Sequence, residues 1–459
     1  MSFPTPSPAE WKALAEAALD GKSLESLVHL DADNLIVRPL YAGATGVETV
    51  IAPRPERTDG EPWDLRALVE GDDAETVNRA VLEDLGGGAT SVVLAGGVLA
   101  DSDPLRVALQ EVALDRIGIG LDAGLDGPDA ANALAVAAKG WPAARLMFHM
   151  DPISAFAETG AASRSIGEHL TLAANTAARH AGAYPEATFF LASGRVVHEA
   201  GGSSAQELAF AAANAVALIR AGLDAGMTAA AAVEGVVLSV AVDHAHFDGI
   251  AKLRALRLMW RTLSRAFGHE VPARIEARSS RRMLAARDPW PNLPRLTAAA
   301  FAGAVGGADA ILLDGFTRAA GLPDVFARRQ AVEAQRTLRQ TGQVADPAFG
   351  SWYLDHRTRE LAEAAWAEFQ IIEAEGGLVE ALHGDLIQSR VTRARALLER
   401  AVRLGAQSVV GATDLVDPSP LPVVVSPPPE RAPLEGGDAC APLAPIRLAT
   451  PAENRKVAR

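Results

Sequence analysis

The sequence of 459 residues predicts a (β/α)8 barrel, in which eight parallel strands close into a ring surrounded by helices. From about residue 77 to 400, short apolar runs alternate with longer alanine-rich stretches, which is typical of a parallel sheet with helical connections. The runs stay apolar along their length and become polar or glycine-rich only at their C-terminal ends, as buried parallel strands do. An open, doubly wound sheet is the alternative architecture.

Seven runs have the length and composition of barrel strands, and an eighth strand is expected without being located. The seven runs are residues 91–97, 117–123, 145–151, 187–194, 236–243, 274–280 and 310–316. The polar side chains at their ends are Asp122, Asp151, Ser193, Asp243 and Asp314. Because all strands of a TIM-like barrel point the same way, these side chains are expected at one face, where such barrels carry their functional loops.

Residues 1–45 are predicted to form an N-terminal arm outside the barrel. The stretch PAEWKALAEAALDG is amphipathic and predicts a helix over residues 11–20, with Trp11 and Leu14 on its apolar face and Gly21 ending it. A single exposed helix of this length is marginal alone, so its apolar face is expected to dock on another surface.

Residues 46–411 are predicted to form the barrel domain, and residues 412–459 a C-terminal tail. Two helices are expected at the end of the domain, over residues 356–377 and about 382–403. After Val416 the sequence reads DPSPLPVVVSPPPERAPLEGG, which is too rich in proline for regular structure. The segment is therefore interpreted as a tail or a tether.

Composition excludes several classes of function. The formal net charge of −14 repels a nucleic-acid backbone, and no arginine pair extends into a basic patch. The single cysteine, Cys440, excludes an intrachain disulfide and a cysteine-built zinc site. The sequence contains neither a secretory leader nor an apolar run long enough to span a membrane. We therefore expect a cytoplasmic protein that binds neither nucleic acid nor membranes.

Catalytic and metal-binding motifs are sparse. The sequence has no Gly-x-Ser-x-Gly nucleophile elbow and no correctly spaced Gly-x-Gly-x-x-Gly loop. The stretch VDHAHFDG gathers four candidate metal ligands, Asp243, His244, His246 and Asp248. On a helix, positions 244 and 248 share a face and position 246 does not, so the spacing favours capping and packing roles over a metal site.

Four blocks of the sequence carry a likeness to a known family. They are SGRVVHEAGGSSAQELAFAAANAVALIRAGLDAGMT, IAKLRALRLMWRTLSRAFG, GGADAILLDGFTRAAGLP and VADPAFGSWYLDHRTRELAEAAWAEFQIIEAEGGL. In this order they resemble successive blocks of the barrel domain of methylmalonyl-CoA mutases. The likeness runs from about Leu35 to Gly411, and ADPAFGSWYLDHRTRELAEAAW is a specific part of it.

The resemblance implies an adenosylcobalamin-dependent isomerase whose barrel holds an acyl-CoA along its axis. Such enzymes interconvert methylmalonyl-CoA and succinyl-CoA by a radical rearrangement, and a separate C-terminal flavodoxin-like domain holds the cobalamin. This sequence ends where that cobalamin-binding domain is expected to begin. It also lacks the Pro-Phe-Thr-Arg-Gly-Pro-Tyr loop that brings an arginine and a tyrosine to the substrate.

The block SGRVVHEAGG departs from the catalytic pattern Ser-Gly-Tyr-His-Met-Gln-Glu-Ala-Gly. In this alignment Arg195 replaces the tyrosine, and Val196 replaces the histidine that shapes the radical step. His198 falls at the glutamine; on a strand it would share a face with position 196 but lie one pleat further along. His198 and Glu199 are therefore only weak catalytic candidates.

A second block departs in the same way. The catalytic pattern Arg-x-His-x-Gln-Thr-Ser-Gly corresponds to RIEARSSR, with Glu276 at the histidine and Arg278 at the glutamine. A carboxylate at position 276 would repel an anionic acyl group. Because these family positions are replaced, no catalytic, cofactor-binding or metal-binding residue is expected on this chain.

The sequence is similar to the small, non-catalytic β subunit of heterodimeric mutases. This resemblance implies a chain that pairs with a large catalytic subunit, lacks isomerase activity alone and leaves adenosylcobalamin to that partner. Two alternatives stay open: an independent acyl-CoA-processing enzyme that uses His198, Glu199 and Glu276, and an acyl-CoA-binding regulatory protein. The sequence does not decide whether the axis of the barrel is open or filled.

Overall fold

Eight parallel strands close into a barrel in the computed structural model, which describes residues 7–41, 61–141, 143–341, 346–427 and 436–454. The strands are β1 Asp64–Glu70, β2 Ser91–Ala95, β3 Gly118–Asp122, β4 Leu146–Met150, β5 Thr188–Ser193, β6 Val236–Val242, β7 Ile275–Ser279 and β8 Ala310–Leu312. Each strand pairs with the next in the chain, and β8 pairs with β1. The predicted (β/α)8 TIM-like barrel is confirmed, and the open sheet is wrong.

Helices surround the barrel and extend beyond it. The described helices are α1 Pro8–Ala18, α2 Ala74–Gly86, α3 Ser102–Ala108, α4 Gly127–Ala137, α5 Pro152–Thr159, α6 Ile166–Ala181, α7 Arg195–Glu199, α8 Ser204–Asp224, α9 Ala229–Glu234, α10 His246–Ala266, α11 Asn292–Val305, α12 Val325–Thr341, α13 Trp352–Ala374, α14 Leu378–His383, α15 Leu386–Arg403 and α16 Thr450–Glu453. Short 3-10 turns cover Leu24–Leu27, Gly97–Leu99 and Gly124–Asp126. The helices predicted over residues 356–377 and 382–403 correspond to α13 and α15.

The strand that the sequence left unlocated is β1, with the sequence DLRALVE. Its charged residues Asp64 and Arg66 are buried and bond to side chains of other strands. Strands are recognised in a sequence by unbroken or alternating apolar residues, and three charges within seven residues obscure that signal.

The main apolar core lies between the outer faces of the strands and the helices around them. Leu65, Phe148 and Phe190 from the strands are almost fully buried, as are Leu208 of α8 and Trp260 of α10. Burial of this outer apolar layer is the principal driving force for folding, and polar side chains lie on the inner side of the ring.

The C-terminal tail packs against the barrel where the structure describes it, contrary to the prediction that it lacks regular structure. Residues Val425–Ser426 pair with Leu322–Pro323, and Asp438–Ala439 pair with Ala161–Ala162. Four further backbone bonds reach segments that follow β4, β5 and β7: Cys440 N to Gly160 O, Leu443 N to Ala157 O, Ile446 N to Glu199 O and Leu448 N to Arg282 O. Proline lacks an N–H group, but the residues between prolines keep theirs and find carbonyl acceptors on the barrel.

The N-terminal arm is anchored at its end and uncovered at its beginning. Asp31 forms an ion pair with Arg357, and the rings of Tyr41 and Tyr353 lie 5.2 Å apart, which fixes the end of the arm on α13. Helix α1 has no fully buried residue: Trp11 is only partly buried, and Leu14 on the same face is exposed. None of the described helices combines the length and the apolar character that crossing a bilayer requires.

Candidate functional site

A chain of alternating charges runs through the interior of the barrel. Arg66 of β1 donates from Nη1 to Oε2 of Glu276 on β7 at 2.5 Å, and Arg278 donates from Nε to Oε1 of Glu276 at 2.7 Å. Nη1 of Arg278 donates to Asp122 at the end of β3 at 2.8 Å, and Nε of Arg66 donates to Asp64 at 2.7 Å. We call Asp64, Arg66, Glu276, Arg278 and Asp122 the axial ion network.

Two serine hydroxyl groups also donate hydrogen bonds to the carboxylates of the network. The Ser91 hydroxyl donates to Asp64 at 2.7 Å, and the Ser239 hydroxyl donates to Glu276 at 3.2 Å. Burial alone would raise the pKa of Glu276, but the charges of Arg278 and Arg66 hold it well below its usual range. Glu276 therefore stays ionised inside the barrel, between two arginines.

This arrangement corrects the expectation that Glu276 would repel an anionic acyl group. Its negative charge is compensated by Arg66 and Arg278, which lie on both sides of it. Charge compensation by two arginines leaves little net repulsion from this carboxylate.

His149 of β4 lies beside the network. Its ring is buried, and neither ring nitrogen has a hydrogen-bond partner among the described residues. Gly120 on the neighbouring strand lies against the ring: a Cβ there would be 3.4 Å from Cε1, an ordinary contact, and only 3.0 Å from Cγ2 of Val93. Burial, together with the charges of Arg66 and Arg278, lowers the pKa of His149 to about 4, so the ring is neutral at neutral pH.

The segment after β5 is a short helix, not the strand on which the sequence analysis placed it. Arg195, Val196, His198 and Glu199 all belong to α7. Gly194 lies so close to α8 that a Cβ there would clash with the carbonyl oxygen of Glu207, and the chain turns at this point. In a helix, positions 196 and 198 do not share a face, so His198 does not lie alongside the position of the missing histidine.

His198 is held among core side chains. Its Nε2 lies 2.8 Å from the Ser280 hydroxyl, and its Nδ1 lies 3.5 Å from Glu207. Glu207 in turn accepts hydrogen bonds from Lys252 Nζ and from the Ala241 N–H group, each at 2.5 Å. Burial lowers the pKa of His198, and the charges of Arg282 and Lys252 act in the same direction. This environment positions the ring as a neutral hydrogen-bonding group.

Glu199 organises the loop that follows β7. Its carboxylate accepts hydrogen bonds from the backbone N–H groups of Arg281 and Arg282 at 3.0 and 2.9 Å. Arg195 approaches the same carboxylate at 3.6 Å. The side chain of Arg281 bonds to Asp314, which follows β8. Glu199 thus joins two loops at the C-terminal face of the barrel, where TIM-like barrels carry their functional groups.

Asp151 and Asp243, which also follow strands, form hydrogen bonds at the same C-terminal face. Asp151, which follows β4, accepts hydrogen bonds from the Asn214 side chain at 2.9 Å and from the Ser193 N–H group at 3.2 Å. Asp243, which follows β6, accepts from the Ala245 N–H group at 2.9 Å and lies 3.9 Å from Arg282. These carboxylates hold the loops in place.

The stretch VDHAHFDG covers the last residue of β6, a loop of three residues and the first turn of α10. The rings of His246 and Phe247 lie 4.2 Å apart, and His246 also contacts Phe301 across 6.0 Å. Within the described ranges, no group of three or more histidine, cysteine, aspartate and glutamate side chains is arranged to hold a metal ion.

Asp64, Arg66 and His149 were not identified from the sequence as residues of the candidate site. A signal for the first two was available, since DLR in β1 and EAR in β7 both place an acid and an arginine two residues apart. In a strand, residues two apart share a face, so each motif puts both charges inside the ring. Nothing in RLMFHMD distinguishes His149 from a packing residue.

Known proteins resemble this chain over most of its length. The sequence model described as methylmalonyl-CoA mutase matches residues 92–425. The methylmalonyl-CoA mutase small subunit of Streptomyces virginiae is 33% identical, over 94% of this chain and 73% of its own length. The small subunit from Propionibacterium freudenreichii subsp. shermanii is 31% identical, over 88% of this chain and 67% of its own. The large subunit of the Streptomyces virginiae mutase is 26% identical, over 89% of this chain and 62% of its own. The chain therefore belongs to the methylmalonyl-CoA mutase family.

Proposed function

We propose that this chain is the small subunit of a heterodimeric methylmalonyl-CoA mutase and has no isomerase activity of its own. The observation that carries the proposal is the axial ion network. Glu276 bonds to both Arg66 and Arg278 across the ring, so an acyl chain that entered along the axis would have to separate buried ion pairs. Breaking a buried pair costs about 3–5 kcal/mol, which works against such entry.

The residues that stand at the catalytic positions of the family support the same conclusion. Val196 has no titratable group, and Glu276 and Arg278 are committed to each other at 2.7 Å. His198 bonds to Ser280 and holds it in place. Glu199 holds the loop after β7. None of these side chains is left free to transfer a proton, and an independent acyl-CoA enzyme is not favoured.

We assign the adenosylcobalamin of the complex to the large subunit. In this chain the candidate ligands between Asp243 and Asp248 lie in the loop after β6 and in the first turn of α10. The ring of His246 packs on Phe247, and the Asp243 carboxylate caps the Ala245 N–H group. These residues do not fit the cofactor, and we derive no step through it. The cytoplasmic location expected from the sequence is part of this proposal.

Two uncovered apolar surfaces support a protein partner. On α1, Leu14 is 70% exposed. Near the start of α13, Phe349 and Trp352 are 71% and 55% exposed, and Tyr41 connects the N-terminal arm to this cluster through Tyr353. Exposed aromatic clusters of this kind are enriched at protein interfaces.

Co-expression with the large subunit tests the proposal. We expect the tagged chain to recover the large subunit in equal amount, and Trp352→Ser or Leu14→Ser to reduce that recovery. Leu404→Ser is the matched control, since Leu404 is equally apolar and 69% exposed but lies at the end of α15. The proposal fails if no large subunit is recovered and the large subunit is fully stable and active alone.

A further inference from the structure

Several buried nitrogen atoms near the C-terminal face of the barrel lack hydrogen-bond partners among the described residues. They are Nη2 of Arg278, Nε of Arg195 and both ring nitrogens of His149. An unpartnered buried donor is energetically unfavourable, so a group of them in one region requires an explanation.

The three side chains belong to one electrostatic neighbourhood centred on Asp122. Arg278 bonds to Asp122 at 2.8 Å. Burial alone would raise the pKa of Asp122, but the charges of Arg278, Arg281 and Arg195 lower it to about 2. Burial and the charge of Arg278 lower the pKa of Arg195, and the charges of Arg278 and Asp122 both act on His149.

The carboxylates in this neighbourhood already have donors. Glu276 accepts from Arg66, Arg278 and Ser239, and Asp122 accepts from Arg278. The hydrogen-bonding groups that have no partner are therefore guanidinium N–H donors and a neutral imidazole, which supplies one donor and one acceptor. Such a set calls for an acceptor, and a negatively charged acceptor forms the stronger bonds.

The backbone at His149 is strained, and the strain is local. His149 has φ of 48°, in the left-handed region that non-glycine residues rarely adopt, and the pairing of β4 with β5 shifts register between Met147 and Met150. Such strain is stored where a side chain must be aimed at a functional site. Here the strained residue is His149, whose imidazole lies within the electrostatic influence of Arg66, Arg278 and Asp122.

We propose that the upper end of this barrel binds one small oxyanion, of the carboxylate or inorganic phosphate type, through Arg278, Arg195 and His149. A guanidinium group presents N–H donors in the planar geometry that matches both types of anion. Arg278 also belongs to the axial ion network, so a small ligand fits here without separating those ion pairs and an acyl-CoA does not. In the alignment with catalytic mutases, Arg195 and Arg278 replace a neutral tyrosine and a neutral glutamine, so the site is a property of this chain. The proposal does not depend on the proposed function, because the isolated chain would bind the same ion.

Binding to the full chain tests the site without any activity assay. Thermal unfolding and titration calorimetry are measured with sodium phosphate and sodium acetate, each against sodium chloride at constant ionic strength. We expect a saturable stabilisation by at least one of the two oxyanions, and the pair of titrations tells phosphate from carboxylate. Arg195→Gln should weaken binding at least roughly tenfold, since it removes one charged donor. Arg265→Gln is the control, because Arg265 is an exposed arginine paired with Glu270.

A crystal soaked in selenate gives a second readout if Arg195→Gln does not fold. Selenate is a phosphate-like oxyanion, and an anomalous selenium peak between Arg195, Arg278 and His149 would support the proposal. It is overturned if phosphate and acetate act no more strongly than chloride, if Arg195→Gln binds as well as the wild type, or if only ordered water occupies the position.

Discussion

Glu276 and Arg66 are 210 residues apart in the sequence, yet their side chains meet at 2.5 Å inside the barrel. They lie on β7 and β1, which are separated in the ring by β8, so their contact crosses the interior. A barrel of this kind is normally filled by layers of branched apolar side chains, or left open for a ligand. Here the interior contains a network of charged pairs.

Replacing Glu276 by glutamine should destabilise the chain by about 3 kcal/mol or more, because Arg66 and Arg278 would keep their charges in the interior without the shared carboxylate. Urea denaturation measures the change in the free energy of unfolding. Glu270→Gln is the matched control, since Glu270 also binds two arginines, Arg261 and Arg265, but on the surface. We expect no measurable change for the control. Equal stability of the two variants would show that the pairing of Glu276 is unimportant.

The stability of the chain should fall between pH 4 and 7 through Asp151. Burial raises the pKa of Asp151 to about 6, although Asn214 and Ser154 donate hydrogen bonds to it. In the unfolded chain it ionises near 3.8. The folded state therefore keeps a proton that the unfolded state has lost, and the stability from this group is present below pH 4 and is lost as the pH rises through 6.

Asp151→Asn removes this ionisation. Relative to the wild type, the variant should gain on the order of 2 kcal/mol in the free energy of unfolding between pH 4.5 and 7, measured by urea denaturation at each pH. Parallel pH profiles for the wild type and the variant would contradict the assignment.

The variant His198→Ala tests whether the role of His198 is structural or catalytic. The variant loses the contact with Ser280 and leaves Glu207 with one neighbour fewer, so we expect a loss of about 2 kcal/mol in stability. The isomerase rate of the complete complex, measured per mole of folded complex, should not change. Ser280→Ala removes the same hydrogen bond and should act in the same direction with a smaller effect. A loss of rate without a loss of stability would restore His198 as a catalytic candidate.

The docked tail should contribute to the stability of the barrel. Leu448 is buried against the mouth of the barrel, whereas Leu421 is 69% exposed in the same tail. Leu448→Ala should cost about 2 kcal/mol or more, and Leu421→Ala should have little effect. Thermal unfolding measures both variants. If they behave alike, the tail is a tether, as the sequence alone predicted.

The sequence predicted the barrel because six of its strands are apolar on both faces or nearly so; β7, which carries Glu276 and Arg278, was found without this signal. It failed at β1, where Asp64 and Arg66 face the interior and interrupt the apolar run. It failed again at α7, because the conformation of SGRVVHE is set by the approach of Gly194 to α8, a contact that no local pattern records.

For the candidate site, alignment with catalytic relatives found Glu276 and Arg278 but interpreted them one at a time. Their meaning depends on Arg66 and Asp122, which come from distant strands and meet only when the ring closes. Charge pairs across a barrel depend on the tertiary structure. In a single sequence, only the acid-x-arginine spacing indicates them.

The most direct measurement is an isomerase assay of this chain alone, supplied with adenosylcobalamin and methylmalonyl-CoA, beside the same assay with the large subunit added. We expect no succinyl-CoA from the chain alone and turnover only when both subunits are present. Formation of succinyl-CoA by the purified chain without a partner would contradict the conclusion that its barrel is filled and catalytically silent.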